Sequence, residues 1–230
     1  MSSDRQTAAI VGVLFIVATA AGLASTSLTA STTASDYLSS VAANANQVKA
    51  GALLEVAAAV SVALIPAFLF PVLRRYDERM ALGYLAIRIL EAFVMVLGAV
   101  STLLLLTLSE KYSAAASPAD PSFATSGAVI QGLGNWTFVL DPVVFGVGAL
   151  LFYYILFRTR LIPLWLSAWG LLGAVLIIAA GLVGMFGAFP YVLAVPIALQ
   201  EMALAVWLIV KGFRTGNTGI RGTGTHSHGA

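Results

Sequence analysis

Apolar residues run in six blocks along the chain, at residues 6–28, 48–73, 80–108, 127–157, 163–188 and 192–213, divided by short polar or basic stretches. Each block reaches the roughly 20 residues that an α-helix needs to cross ~30 Å of hydrocarbon. The alternation of lipid-facing and lumen-facing residues that marks an outer-membrane barrel is missing. The pattern predicts an all-α fold: a polytopic membrane bundle of six transmembrane helices. Residues 29–47, rich in Ser, Thr, Ala and Asn, read as a polar loop with a short surface helix over 36–45. A second loop is expected over 109–126. Residues 214–230 are rich in Gly and Thr without apolar periodicity, and read as a disordered tail.

The first block exceeds the ~7–15 apolar residues of a signal-peptide core, so a retained helix is expected despite the small-residue run GLAS. Residues 1–5 are expected to form a cytoplasmic N-terminal segment.

Composition narrows the class. Of 230 residues, 60% are hydrophobic and 10% charged, and mean hydropathy is +0.95. A soluble domain carries roughly 25% charged residues. A net charge of +2 with no contiguous basic block argues against nucleic acid as a partner. The chain has no cysteine, so thiolate metal sites and a Cys nucleophile are excluded. Both histidines, His226 and His228, fall in the tail, where they would hold a metal only weakly.

Basic residues set the expected orientation. Arg5, the Arg74/Arg75/Arg79 turn, Arg158 with Arg160, and Lys211 with Arg214 and Arg221 alternate with connections holding only Lys49 and Lys111. Every other connection is basic, the positive-inside pattern of six spans with both termini cytoplasmic.

Against this apolar background, five ionisable residues stand inside spans: Glu55, Arg88, Glu91, Asp141 and Glu201. Such groups are costly in hydrocarbon and mark candidate sites. Counting ~1.5 Å of rise per residue from the span ends puts all five in one layer near the midplane, to within about a turn. Tyr84, Arg88, Glu91, Met95, Gly98 and Thr102 share a stripe, and Glu55 shares its face with Gly51, Ala52, Ala58, Ala59 and Val62. Asp141 aligns with Gly134, Thr137, Phe138 and Gly148. Small residues on these faces suit close helix packing. Fully ionised, the set would carry a charge of about −3, which an interior does not tolerate uncompensated. Arg88 is therefore expected to pair with Glu91, three residues on, and the remaining acids to be protonated or to face water or a bound cation. Tyr84, Asn135 and Gln200 are secondary candidates, and Asp141-Pro142 is a candidate helix break.

Several segments resemble a bacterial family of six-helix membrane proteins known only as domain of unknown function 4386. They are RQTAAIVGVLFIVATAAG, then LLE leading to FPVLRRYDERMALGYLAIRILE, then YYILFRTRLIPLWLSAWGLLGA and PIALQEMALAVWLIVKGF. The resemblance implies six spans, a retained first helix and a bacterial plasma membrane. It carries no activity, cofactor or catalytic residue.

Three functions compete. A small carrier or permease would bind protons, a cation or a small polar solute at the carboxylates. A non-catalytic scaffold or stress-response component would use them as structural glue. A lipid-acting enzyme would use them as acid/base groups or metal ligands, but no catalytic motif such as GxSxG accompanies them and an enzyme is not favoured. No cofactor is implied; the bilayer is the one certain partner.

Overall fold

The computed structural model describes residues 3–115 and 120–214. Helix α1 spans Ser3–Leu28, and a 3-10 turn at Ala30–Thr33 leads to the short α2, Tyr37–Ala43. Then follow α3 (Ala45–Leu73), α4 (Glu78–Ala114), α5 (Pro121–Thr159), α6 (Leu164–Phe186), a 3-10 turn at Tyr191–Leu193, and α7 (Val195–Val210). Six segments are long and apolar enough to cross a membrane: α1, α3, α4, α5, α6 and Tyr191–Val210. The expected six-helix architecture is present. The expected tail falls almost wholly on residues 215–230, outside those described.

Local chemistry sets the helix ends. Asp77, in extended backbone, caps α4 by accepting from the Met80 amide at 3.0 Å. Asp120 caps α5 through the Ser122 amide at 2.9 Å, and Pro121 opens the first turn, where its missing N–H costs nothing. Arg160 ends α5 in the left-handed region at φ 56°, and Pro163 starts α6.

These caps correct the expected loop over 109–126. Helix α4 continues through the polar run ending at Ala114, and α5 begins at Pro121. Periodic apolar residues end near residue 108, but helical backbone does not. Helices of 37 and 39 residues reach about 55 Å and 58 Å, well beyond a ~30 Å core. Nor does Asp141-Pro142 break the chain, because α5 runs unbroken through both residues.

The long helices form a closed ring in the order α1, α3, α4, α5, α6, α7 and back to α1, with α2 laid against α4. Ser3, Leu73, Glu78, Thr159, Leu164 and Val210 share one end, called here the terminal end. Arg5 ties that end together by donating to the carbonyls of Leu208 (2.8 Å), Ile209 (2.6 Å) and Val210 (3.0 Å). Arg75 meets Asp4 through two bonds of 2.8 and 2.9 Å. Gly12 lets α1 and α7 close on each other, since a Cβ there would fall 2.7 Å from the Ala205 carbonyl oxygen.

The main core fills the terminal half of the ring, with Phe15, Ile65, Leu69, Tyr84, Phe152, Tyr153 and Leu204 among its members. A smaller cluster around Leu105 and Leu106 holds the opposite half, and another, of Ala59, Val62 and Ala92, packs at the level of Glu91.

Candidate functional site

Arg88 and Glu91 lie on the inner face of α4, where the i, i+3 spacing brings them together. Arg88 Nη1 stands 3.0 Å from Glu91 Oε2, and the two side chains are only 4% and 5% exposed. The guanidinium also lies over the Phe145 ring of α5 at 5.3 Å. Its stem runs past Gly148, where a Cβ would fall 3.4 Å from Arg88 Cδ. Gly148 on α5 thus makes room for Arg88, the one buried arginine among the described residues.

The other acids gather around this pair. Glu201 of α7 lies within electrostatic reach of Arg88 and Glu91. Asp141 of α5 lies within electrostatic reach of the same two groups, and Glu55 of α3 within reach of Asp141. Glu91 is buried; Glu55, Asp141 and Glu201 are half-buried. Glu55 also touches α4 directly, because a Cβ at Gly98 would fall 2.6 Å from Glu55 Oε1 and 3.5 Å from Thr137 Oγ1.

These residues do not share a single layer. Measured along their helices from the terminal end, Glu201, Arg88 and Glu91 stand at roughly 14, 15 and 20 Å, but Asp141 and Glu55 both at roughly 27 Å. Contact with Gly98, two turns beyond Glu91, places Glu55 in the same upper tier. The single layer expected from span lengths is therefore a staircase of two tiers. The reason is that α3, at 29 residues, is longer than the ~30 Å core against which a depth counted from the far end of its span is set, so Glu55 stands farther from the terminal end.

Three polar atoms in the staircase lack hydrogen-bond partners among the described residues: Arg88 Nε, Asp141 Oδ1, and Glu91 Oε2, which meets Arg88 only as an ion pair. Pro142 adds a further polar feature. It cannot donate to the Phe138 carbonyl, so a backbone acceptor is released one turn from Asp141. No three Asp, Glu, His or Cys side chains converge closely enough to hold a metal ion among the described residues.

Below the staircase lies an aromatic plug. Tyr84 stacks on Phe152 with centroids 4.8 Å apart, Phe15 approaches Phe152 at 6.5 Å, and Tyr153 adjoins at 5.1 Å. Gly170 of α6 lies flat against the Tyr153 ring, in space that a Cβ would occupy. Tyr84 thus joins the plug to the acidic set, since its hydroxyl also lies within electrostatic reach of Arg88, Glu91 and Glu201. Gln200 is fully buried and donates to the Leu166 carbonyl at 3.1 Å, joining α7 to α6. Asn135 is exposed and apart from the staircase, and Phe138, expected on the Asp141 face, is half-exposed beside Phe189. Phe15 and Tyr153 escaped the sequence reading because an aromatic in an apolar helix carries no polar signal.

The model for the domain of unknown function DUF4386 matches residues 10–212, nearly the whole chain, and the chain belongs to that family. No curated protein and no solved structure matches it.

Proposed function

We propose that this member of the DUF4386 family is a small membrane carrier whose working groups are the staircase acids, with the proton as the species they exchange. The observation that supports this reading is the disproportion of charge. Four carboxylates on four helices share the bundle interior with Arg88, only Glu91 pairs with it, and Asp141 Oδ1 is left without a partner among the described residues. Structural glue would need about one acid per base. The two-tier spread suits stepwise proton exchange better than capture of an ion, since no three acids converge among the described residues.

Access in this reading comes from the end opposite the termini. The plug of Phe15, Tyr84, Phe152 and Tyr153 closes the terminal side, whereas Glu55 and Asp141 in the upper tier are half-exposed beside Gly98 and Thr137. The terminal end, which bears most of the arginines, would face the cytoplasm of a bacterial plasma membrane.

The test is proton flux in proteoliposomes loaded with a pH-sensitive dye, driven by an imposed pH gradient. Wild-type protein is expected to dissipate the gradient, and Asp141→Asn and Glu201→Gln to slow it at least tenfold while remaining monodisperse. Flux equal to that of empty liposomes would remove the proton reading.

The scaffold alternative draws on a different observation: Arg88–Glu91 and Gln200–Leu166 join neighbours as glue would. It predicts loss of thermal stability in charge variants with no flux in any of them.

A further inference from the structure

Three of the ring's helices run toward the terminal end, and each finishes in the same device. At the end of α3, Arg74 lies over Phe70 at 5.9 Å. At the end of α5, Arg158 lies over Tyr154 at 5.7 Å. Beyond α7, Arg214 lies over Trp207 at 5.8 Å. In the first two pairs the partners are four residues apart, one turn along the helix. The third is reached otherwise: the chain reverses at Gly212, φ 72°, and the Arg214 amide donates to the Leu161 carbonyl at 2.8 Å. Two different backbone routes thus give one arrangement.

All three guanidinium groups are exposed. None belongs to an ion pair among the described residues, where the pairs are Lys49–Glu110, Arg75–Asp4 and Arg88–Glu91. A guanidinium resting on an aromatic face is held in orientation yet keeps its planar edge of N–H donors free. That edge matches a phosphate oxygen pair, as an ammonium does not. The rings themselves are amphipathic or apolar bodies at helix ends, the level of the headgroup region in a spanning bundle.

We propose that the terminal rim is a belt of seats for anionic phospholipid headgroups, formed by Arg74 on Phe70, Arg158 on Tyr154 and Arg214 on Trp207. The placement around the ring favours lipid over a protein partner. Helices α3, α5 and α7 are every second member of the ring, so the seats are spread around the perimeter, facing the surrounding bilayer. A protein partner would need them on one side. Charge complementarity points the same way, because the opposite end offers only Lys49, already paired, and Lys111, among Asp36, Glu110 and Asp120. The proposal rests on the bundle spanning a membrane and is independent of the carrier reading.

The test compares thermal unfolding of the full chain in micelles doped with phosphatidylglycerol or with phosphatidylcholine. Wild-type protein should unfold several degrees higher with phosphatidylglycerol, and added salt should shrink the difference. The triple variant Arg74→Gln/Arg158→Gln/Arg214→Gln should lose most of that increment, while Lys49→Gln/Lys111→Gln keeps it. Inorganic phosphate at the same concentration should not replace the lipid, which separates a headgroup seat from a free-phosphate site. A triple variant with the full increment, or a lysine variant that loses it equally, would overturn the belt. If the triple variant does not fold, each single variant is examined by native mass spectrometry. Loss of a retained phosphatidylglycerol in each supports the belt, and unchanged retention in all three refutes it.

Discussion

Arg88 and Glu91 stand one turn apart on α4, with Nη1 and Oε2 3.0 Å apart and both side chains almost wholly buried. Glu201 and Asp141 also feel Arg88, so one guanidinium serves acids from three helices. Removing it strands several carboxylates, whereas removing one acid strands none. Breaking a buried pair by deleting one partner costs about 3–5 kcal/mol. Arg88→Leu is therefore expected to lower the unfolding midpoint in detergent more than Glu91→Leu, Asp141→Leu or Glu201→Leu. Arg88→Leu/Glu91→Leu should recover part of the loss. A ranking with Glu201→Leu lowest would mean that Arg88 is not the hub.

Two glycines separate packing from site geometry. A Cβ at Gly98 meets only the far end of the Glu55 side chain, which can swing aside. A Cβ at Gly12 meets the Ala205 backbone oxygen at 2.7 Å, which cannot move without parting α1 from α7. Gly12→Ala should thus cost about 1–3 kcal/mol, in the range of core overpacking, and Gly98→Ala less than about 1. In the flux assay the order should reverse, with Gly98→Ala the slower of the two per folded molecule, because it displaces Glu55 from Asp141.

The architecture was legible because spanning helices announce themselves by length and by interrupted hydrophobicity, and because Arg88 and Glu91 stand out against it. Three things were not. Helix α4 outruns its apolar block, since Glu110, Lys111 and Tyr112 continue a helix that the hydropathy pattern ends. The depth of Glu55 follows from the far end of its span only against a ~30 Å core, and the 29 residues of α3 exceed that core. The plug could not be seen at all: Phe15, Tyr84, Phe152 and Tyr153 come from three helices whose neighbours only the ring order defines. Asn135 misled for a related reason, as polarity alone does not give the direction in which a side chain points.

Arg5 satisfies the Ile209 and Val210 carbonyls at the end of α7 and adds a donor at Leu208, which also accepts from the Gly212 amide. Hydrogen bonds from a charged donor are worth about 1.5–3 kcal/mol where burial is substantial, and less here because the site is only partly buried. Arg5→Gln should cost about 1 kcal/mol and raise hydrogen exchange over the last turn of α7, leaving α3 and α6 unchanged. Protection that stays at wild-type level would show that water replaces Arg5 at no cost.

Asp120 tests the start of α5, well outside the staircase. The Ser122 amide hydrogen bond holds its carboxyl below the usual range. With a folded pKa below the unfolded one, the cap's contribution is present above the ordinary Asp pKa of about 3.9 and fades as pH falls through the lower folded value. Exchange at the first-turn amides should therefore rise only in strong acid, and Asp120→Ala should show that fast exchange at every pH. Equal exchange in the two proteins at neutral pH would show that Pro121 alone starts the helix.

The plug makes the two ends of the bundle unequal, and the chain's lack of cysteine makes this measurable with single introduced thiols. Asp141→Cys places a thiol in the upper tier, above Tyr84 and Phe152. A membrane-impermeant maleimide should label it several-fold faster from the end opposite Arg74 than from the terminal end. Adding Phe152→Ala removes the ring that Phe15, Tyr84 and Tyr153 all pack on, so labelling from the terminal end should then accelerate. The truncation also costs about 3–5 kcal/mol, so each rate must be normalised to monodisperse protein. Equal labelling from both ends without Phe152→Ala would mean that the plug does not seal the bundle, and the one-sided access on which the carrier reading relies would fall with it.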